Sequence, residues 1–307
     1  MTSFSAEAKN EICKNKIDER GIISELAALT FACGSLTVCS GKKRIIYTTE
    51  NKSAAKHIRT IISDILKLDT DVEIKESSLK KKNIYTVRAD DGELLLSVLG
   101  LNIKDLLNGT MPKYIYKGEE DKTALLRGAF LGSGSLSNPK KNYHFEFVTQ
   151  KEPFADILIS VLKHFNIKAK KIIRKDSYVI YLNEGDGISA LLAKIGAHAS
   201  ILNFENIRAL KEMRNNVNRA VNCETANINK TVNAALIQRN NIRLIESSLG
   251  FKKLSAALKE ACELRLEHPN ASLSELSEIS GISKSALNHR LRKINAIANS
   301  LKREEAQ

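Results

Sequence analysis

The chain has 307 residues, of which 43% are hydrophobic and 27% are charged. This composition is typical of a globular protein and excludes disorder as the main state. The 48 basic and 35 acidic side chains leave a net charge of +13, which favours a polyanionic partner, nucleic acid before membrane.

The sequence indicates neither secretion nor membrane insertion. No apolar run approaches the roughly 18 to 20 residues of a membrane span, and the charged N-terminal segment lacks the apolar stretch of a signal peptide. The five cysteines include no CxxC pair, which argues against a disulfide framework or a zinc cluster. We therefore expect a cytoplasmic protein with reduced thiols and no membrane partner.

An internal repeat organises the first two thirds of the chain. The segment ELAALTFACGSL (25–36) aligns with LLRGAFLGSGSL (125–136), and similar strand and helix patterns follow each segment. Alternating apolar residues predict strands, and apolar residues at i, i+3, i+4 and i+7 predict helices. Each repeat therefore has the order αββαββα, and we assign the repeats to residues 1–112 and 113–204.

The predicted elements after each motif occur in the same order in both repeats. The predicted strands are 44–49, 71–75, 84–87, 144–149, 170–173 and 178–182, of which 71–75 and 170–173 have the weaker signals. The predicted helices after the first strands are 54–66 and 154–165, and a short helix closes each repeat at Gly100 and Gly196.

Small residues recur four positions apart in the first helix of each repeat, as Ala28 and Ala32 and as Gly128 and Gly132. Small residues let two helix backbones approach closely, as a pseudo-twofold seam between the repeats requires. The motifs LAALTFACG and LRGAFLGSG resemble the paired LAGLIDADG helices of homing endonucleases. The resemblance implies an α+β fold in which two four-stranded sheets form a pseudo-dimeric saddle, the surface that lies in the DNA major groove in those enzymes.

The residues that would carry nuclease chemistry are missing. The resemblance implies one metal-binding carboxylate at the foot of each motif helix, but Cys33 and Ser133 occupy the matching positions. No Asp or Glu is present from 26 to 49 or from 128 to 145, so a hard divalent cation has too few oxygen ligands. We predict no catalytic residue, no metal, no cofactor, no small-molecule substrate and no enzyme activity.

Residues 205–250 are predicted to form a helical, Asn-rich connector between two helices. Asn side chains compete for backbone hydrogen bonds and favour caps and turns. The alternative interpretation is a hydrogen-bonding surface that faces nucleic acid. The candidate phosphate contacts are basic side chains of this segment and of the second repeat: Arg214, Arg219, Lys230, Lys140 and Lys141.

Residues 251–307 are predicted to form an all-α helix-turn-helix domain. Ser272 and Glu275 form a capping box at the start of one helix. Gly281 is expected to end that helix in a left-handed backbone conformation, and Ser283 caps the next helix. The predicted apolar faces consist of Leu273, Leu276 and Ile279 in the first helix and of Ala286, Leu287 and Leu291 in the second. A second helix with a basic outward face fits the major groove. The candidate DNA contacts are Ser274, Ser283, Lys284, Ser285, Asn288, His289, Arg290, Arg292 and Lys293.

Side-chain chemistry suggests a division of roles on this second helix. Asn and Arg can bond the edges of adenine and guanine, whereas Lys suits phosphates. We expect Asn288 and Arg290 to contact bases and Lys284 and Arg292 to lie nearer the backbone. Residues 205–307 carry 17 basic and 11 acidic side chains, which supports this region as the DNA-binding one.

Long segments of the chain, including RGAFLGSGSLSNPKKNYHFEF, VNCETANINKTVNAA and LSELSEISGISKSALNHRL, resemble the WhiA family of Gram-positive bacteria. The resemblance implies a nucleoid-associated transcription regulator that binds duplex DNA. It further implies a role in cell division, chromosome segregation and, in some lineages, sporulation, with other transcription or division proteins as further partners. Two alternatives stay open. One is an active endonuclease whose carboxylates are distant in sequence, and the other is an RNA-binding regulator.

Overall fold

The computed structural model describes residues 2–16, 19–39, 41–77 and 82–304. The chain forms two compact units, Met1–Glu212 and Met213–Gln307. Among the helices in these described ranges, none is long and apolar enough to cross a membrane.

The first repeat forms a four-stranded antiparallel sheet with helices. In chain order its helices are α1 (Phe4–Ile12), α2 (Ile22–Cys33), α3 (Lys52–Arg59), α4 (Gly92–Val98) and α5 (Ile103–Asn108). Its strands are β1 (Gly34–Cys39), β2 (Lys42–Thr49), β3 (Thr70–Ser77) and β4 (Lys82–Ala89). The strand order is β1-β2-β4-β3, so the strand that had only a weak signal near 71–75 is confirmed.

The second repeat has the same architecture. Its helices are α6 (Glu119–Ser133), α7 (Glu152–His164) and α8 (Gly185–Lys194). Its strands are β5 (Gly134–Leu136), β6 (Phe145–Thr149), β7 (Lys170–Arg174) and β8 (Ser177–Leu182), in the order β5-β6-β8-β7. The predicted α+β fold of two tandem αββαββα repeats is confirmed.

One predicted helix is shorter than its pattern suggests. The apolar spacing predicts a helix over 54–66, but α3 ends at Arg59 and Thr60–Ile65 continues as a π-helical turn. Ile61 and Ile62 are both fully buried in that turn. Periodicity alone did not distinguish a π turn from another α turn, because such turns are short and rare.

Helices α2 and α6, the first helices of the two repeat motifs, pack against each other in the core of the first unit. At Gly128, a Cβ atom would lie 2.2 Å from the backbone oxygen of Glu25. At Gly132, it would lie 2.6 Å from the Cβ of Ala32. These distances leave no room for a side chain, so the close approach predicted from the small residues is confirmed.

The second unit is helical throughout its described residues. It contains the end of α9 (His198–Ser248), followed by α10 (Ala256–Glu267), α11 (Leu273–Ser280) and α12 (Lys284–Glu304). Buried side chains of α9, α10 and α12 form its core: Ile242, Ile245, Ala261, Cys262, Leu291, Ile294 and Ala298.

The Asn-rich segment does not separate two helices, as the sequence suggested, but lies within the single helix α9. Residues 212–230 are exposed on every side of that helix. No Gly or Pro interrupts the helix, and Asn is less favourable there than Ala by only about 0.7 kcal/mol per residue. The expectation of a break overestimated the effect of Asn, because extending a formed helix is far easier than nucleating one.

Candidate nucleic-acid interface

Cys33 and Ser133 are the last residues of α2 and α6, the two seam helices that pack against each other between the repeats. Each side chain donates a hydrogen bond to its own helix. Cys33 Sγ donates to the oxygen of Leu29 at 3.4 Å, and Ser133 Oγ donates to the oxygen of Ala129 at 3.4 Å. Burial raises the pKa of the Cys33 thiol to about 12, an effect that Lys9 offsets in part. Neither side chain therefore provides an anionic metal ligand at neutral pH.

The ammonium group of Lys9 lies at the same end of the seam. Its Nζ donates to the oxygen of Leu131, in the last turn of α6, at 3.1 Å and lies 5.5 Å from the ring centroid of Phe130. Burial lowers the pKa of Lys9 to about 8, so the amine is still mainly protonated at pH 7. A positive charge here opposes the binding of a divalent cation.

Sequence analysis missed Lys9, because only the tertiary fold brings α1 against the seam helix α6. Over the ranges that the structure describes, no three His, Cys, Asp or Glu side chains are grouped so that they could hold a metal ion.

Two arginines on the exposed face of the first sheet, Arg44 and Arg88, are paired with acids. Ile45 is buried, so strand alternation places its neighbour Arg44 on the opposite, outward face. Arg44 and Arg88 each lie 3.2 Å from Asp90, and Arg88 also lies 2.7 Å from Asp71. Asp71 and Asp90 therefore offset the positive charge of these two arginines, which a DNA backbone would otherwise attract.

The second repeat has a similar arrangement. Arg174 lies 3.3 Å from Glu146.

The two candidate residues Lys140 and Lys141 are exposed in the segment between β5 and β6. Lys211 Nζ donates to the backbone oxygen of Lys141 at 3.2 Å, so this segment is tied to α9.

The three basic candidates on α9 do not share one side of the helix. Arg214, Arg219 and Lys230 are all exposed. Since successive residues are about 100° apart around a helix, Arg219 and Lys230 lie on one side and Arg214 lies well away from them.

The predicted helix-turn-helix is confirmed by its hydrogen bonds. Ser272 Oγ accepts from the backbone nitrogen of Glu275 at 3.2 Å, and the Glu275 carboxylate accepts from the backbone nitrogen of Ser272 at 2.6 Å. Gly281 ends α11 with a φ of 69°. Ser283 Oγ accepts from the backbone nitrogen of Ala286 at 3.3 Å at the start of α12.

One residue of the predicted apolar face is exposed, contrary to the prediction. Leu276 is fully buried, but Ile279 is 53% exposed. The helix α11 has only eight residues, and Ile279 lies in its last turn, close to Gly281. Because the chain turns at Gly281, the core does not cover the end of the predicted face.

The exposed side of α12 brings together several of the predicted DNA contacts. Ser285, His289 and Arg292 are exposed and lie on the side opposite Leu287 and Leu291, which are buried. The remaining candidates of this group are exposed or half-buried around them: Ser274, Ser283, Lys284, Asn288 and Lys293.

Arg290 is separated from this exposed group. Its Nη1 lies 2.7 Å from Oε2 of Glu260 on α10, and its side chain is only 24% exposed. Two residues along a helix differ by about 200° in direction, so Arg290 points towards α10 while Arg292 points to solvent. The sequence favoured Arg290 for base contacts and placed Arg292 nearer the DNA backbone. In the structure it is Arg292 that lies on the exposed side of α12, whereas Arg290 is paired with Glu260.

Arg265 is a buried cation that sequence analysis did not identify. Its side chain in α10 is 2% exposed, and burial lowers its pKa. Nη1 donates to the backbone oxygens of Ala271 at 2.5 Å and His268 at 3.3 Å. Arg265 therefore holds the turn between α10 and α11, and so helps to position the helix-turn-helix.

Family models match both repeats and the helical region. The WhiA N-terminal LAGLIDADG-like domain matches residues 20–102, the WhiA LAGLIDADG-like domain matches 122–214, and the WhiA C-terminal HTH domain matches 217–298.

Full-length relatives and a solved structure extend this similarity. The "Probable cell division protein WhiA" of Clostridium botulinum (strain Hall) is 44% identical over 98% of this chain and 99% of that protein. The protein of the same name from Clostridium perfringens (strain 13) is also 44% identical, over 98% of each chain. The solved "full-length DUF199/WhiA from Thermatoga maritima" superposes with a TM-score of 0.62 at 25% identity, covering 97% of this chain and 99% of that one. The resemblance in the sequence is thus confirmed, and the chain belongs to the WhiA family.

Proposed function

We propose that this chain is a cytoplasmic, nucleoid-associated transcription regulator that binds duplex DNA through α12 and has no nuclease activity. The observation that carries the proposal is the exposed side of α12, where Ser285, His289 and Arg292 lie together on a helix capped by Ser283. A capped helix with such a face matches the recognition helix of DNA-binding helix-turn-helix proteins.

The proposed contacts follow from the placement of the side chains. Ser285, His289 and Arg292 face the bases, since they are exposed on the side of α12 opposite the buried Leu287 and Leu291. Lys284 and Lys293 contact phosphates, together with Ser274 and Ser283. Asn288 lies at the edge of the base-facing group. The exposed residues Arg219 and Lys230 on α9 and Lys140 and Lys141 are weaker candidates for phosphate contact.

We assign recognition to the second unit and not to the sheets. The pairing of Arg44 and Arg88 with acids on the outward sheet face supports this assignment. The predicted domain 251–307 is extended in this proposal by the end of α9, because Ile242 and Ile245 belong to the same core.

A role in cell division is supported by the name of the relatives, "Probable cell division protein WhiA". Control of chromosome segregation and of sporulation, and association with other transcription or division proteins, are further parts of the proposal.

Alanine substitutions on α12 test the assignment of base and phosphate contacts. Arg292→Ala should weaken binding at a specific site by about 1–3 kcal/mol and relax sequence preference there. Lys284→Ala should weaken binding to all duplexes similarly and reduce the slope of log affinity against log salt by about one. Fluorescence anisotropy would measure both effects, using duplexes that the wild-type protein selects from a random pool and scrambled versions of them.

Arg303→Ala, a substitution of an exposed arginine near the far end of α12, is the control and should change little. If Arg290→Ala impairs specific binding more than Arg292→Ala, the assignment of the base-facing side is wrong. If single-stranded RNA competes better than duplex DNA, the protein is an RNA-binding one.

The missing carboxylates predict the outcome of a cleavage assay. Because Cys33 and Ser133 end the seam helices and the Lys9 ammonium lies beside them, neither Mg²⁺ nor Mn²⁺ should support cleavage of plasmid DNA. Cleavage that persists through further purification and disappears with a chelator would contradict this prediction and favour the nuclease alternative.

A further inference from the structure

The ion pair between Arg290 and Glu260 lies at the border of the exposed side of α12. The two charged groups are 2.7 Å apart, and Glu260 is 59% exposed while Arg290 is 24% exposed. Lys293 follows one turn after Arg290 and is exposed. Arg290 therefore adjoins a basic surface, and it is not part of the buried core.

An acid in this place has an electrostatic consequence. Sequence-independent binding to DNA depends on the number of cationic side chains that are free to replace condensed counterions. Arg290 is held by a carboxylate, so a phosphate must compete with Glu260 for it. Glu260 is mostly exposed, so solvent screens the pair, and such pairs at the protein surface contribute about 0–1 kcal/mol. A phosphate can therefore compete for Arg290, but at a reduced net gain.

We infer that Glu260 limits sequence-independent DNA binding by neutralising Arg290 at the edge of the recognition helix. The inference rests on the proposed DNA-binding function of α12. It assigns to Glu260 a weakening effect on binding and to Arg290 the role of a phosphate contact that is suppressed in the free protein.

A purely structural role of the pair leads to the opposite expectation. If Glu260 only holds α12 against α10, its loss would disorder the recognition helix and weaken binding to every duplex. If Glu260 instead neutralises Arg290, its loss would release one cation and strengthen sequence-independent binding at low salt. The sign of the change in affinity therefore separates the two roles.

The test compares Glu260→Gln with Glu267→Gln in the full chain. Glu267 lies seven residues later, on the same side of α10. It is exposed and forms no ion pair among the residues that the structure describes. Both substitutions remove one negative charge from the same helix, but only Glu260→Gln releases Arg290. The probe is a short duplex of scrambled sequence, titrated from about 50 to 200 mM salt.

The Glu260→Gln protein should bind the scrambled duplex more tightly than wild type, with a salt slope steeper by about one. One phosphate contact contributes about 0.9 to the slope of log affinity against log salt. The ratio of the Glu260→Gln affinity to the wild-type affinity should therefore grow roughly three- to fourfold between 200 and 50 mM salt. Glu267→Gln should leave the slope unchanged. Adding Arg290→Ala to Glu260→Gln should remove the gain, whereas Arg290→Ala alone should have little effect.

Three results would overturn the inference: weaker binding by Glu260→Gln, equal slopes for Glu260→Gln and Glu267→Gln, or a gain that survives Arg290→Ala. Thermal unfolding followed by circular dichroism shows whether each variant is folded. A wild-type protein that binds no duplex at any of these salt concentrations would instead refute the proposed function itself, which distinguishes that failure from failure of the inference.

Discussion

Gly128→Ala is expected to destabilise the first unit by about 3 kcal/mol or more, at the upper end of the range for overpacked cores. The added methyl group would lie 2.2 Å from the backbone oxygen of Glu25 and 3.1 Å from the Cβ of Ala28. The nearest atom belongs to the backbone, so no side chain can rotate away to make room. The helices α2 and α6 would have to separate, and with them the two repeats. Urea unfolding followed by circular dichroism would measure the loss.

Gly187→Ala is the matched control for this substitution. Gly187 also lies within a helix, α8, but the nearest atoms to its added Cβ would be 3.9 Å away. Alanine is more favourable than glycine in a helix by about 0.8–1.0 kcal/mol, so this variant should be slightly more stable than wild type. Equal stability of the two variants would show that α2 and α6 are not as close as described.

The buried carboxylate of Glu25 gives the second large effect. Glu25 is fully buried in α2, where Oε1 lies 2.7 Å from Nε2 of His57 and Oε2 lies 2.7 Å from Nε of Arg127. Glu25→Ala would leave Arg127 without its acidic partner in a largely buried site, and should cost about 3–5 kcal/mol in urea unfolding. Glu120→Ala breaks an exposed pair with Arg20 and should cost no more than about 1 kcal/mol.

The same group makes stability depend on pH. Burial by itself would raise the pKa of Glu25, but the hydrogen bond from His57 and the charge of Arg127 outweigh burial and lower the pKa below its usual value of 4.5. A lowered pKa in the folded state means that the stabilisation is complete above the pKa of the unfolded chain and is lost as pH falls through the folded value.

Unfolding free energies measured over a series of acidic pH values would detect this contribution. The wild-type protein should lose stability in that range faster than Glu25→Gln, which cannot ionise at this position. Parallel pH profiles for the two proteins would show that Glu25 is not charged in the folded state.

Features encoded by local patterns were predictable from the sequence alone. The duplicated order αββαββα follows from a motif and a strand periodicity that recur in both halves. The start and end of α11 follow from Ser272, Glu275 and Gly281, which act within four residues of their partners. Such signals are short-range, because capping and alternation depend on neighbouring backbone groups.

Only the tertiary structure decided which charged groups meet. Lys9 bonds to Leu131, 122 residues away, and Arg290 bonds to Glu260, 30 residues away. Neither pair has a sequence signature, because packing between separate helices brings the partners together. Sequence reasoning could identify α12 as a basic helix, but its exposed side was set by the packing of α10 against it. That packing pairs Arg290 with Glu260 at the border of the exposed side and leaves Arg292 in solvent.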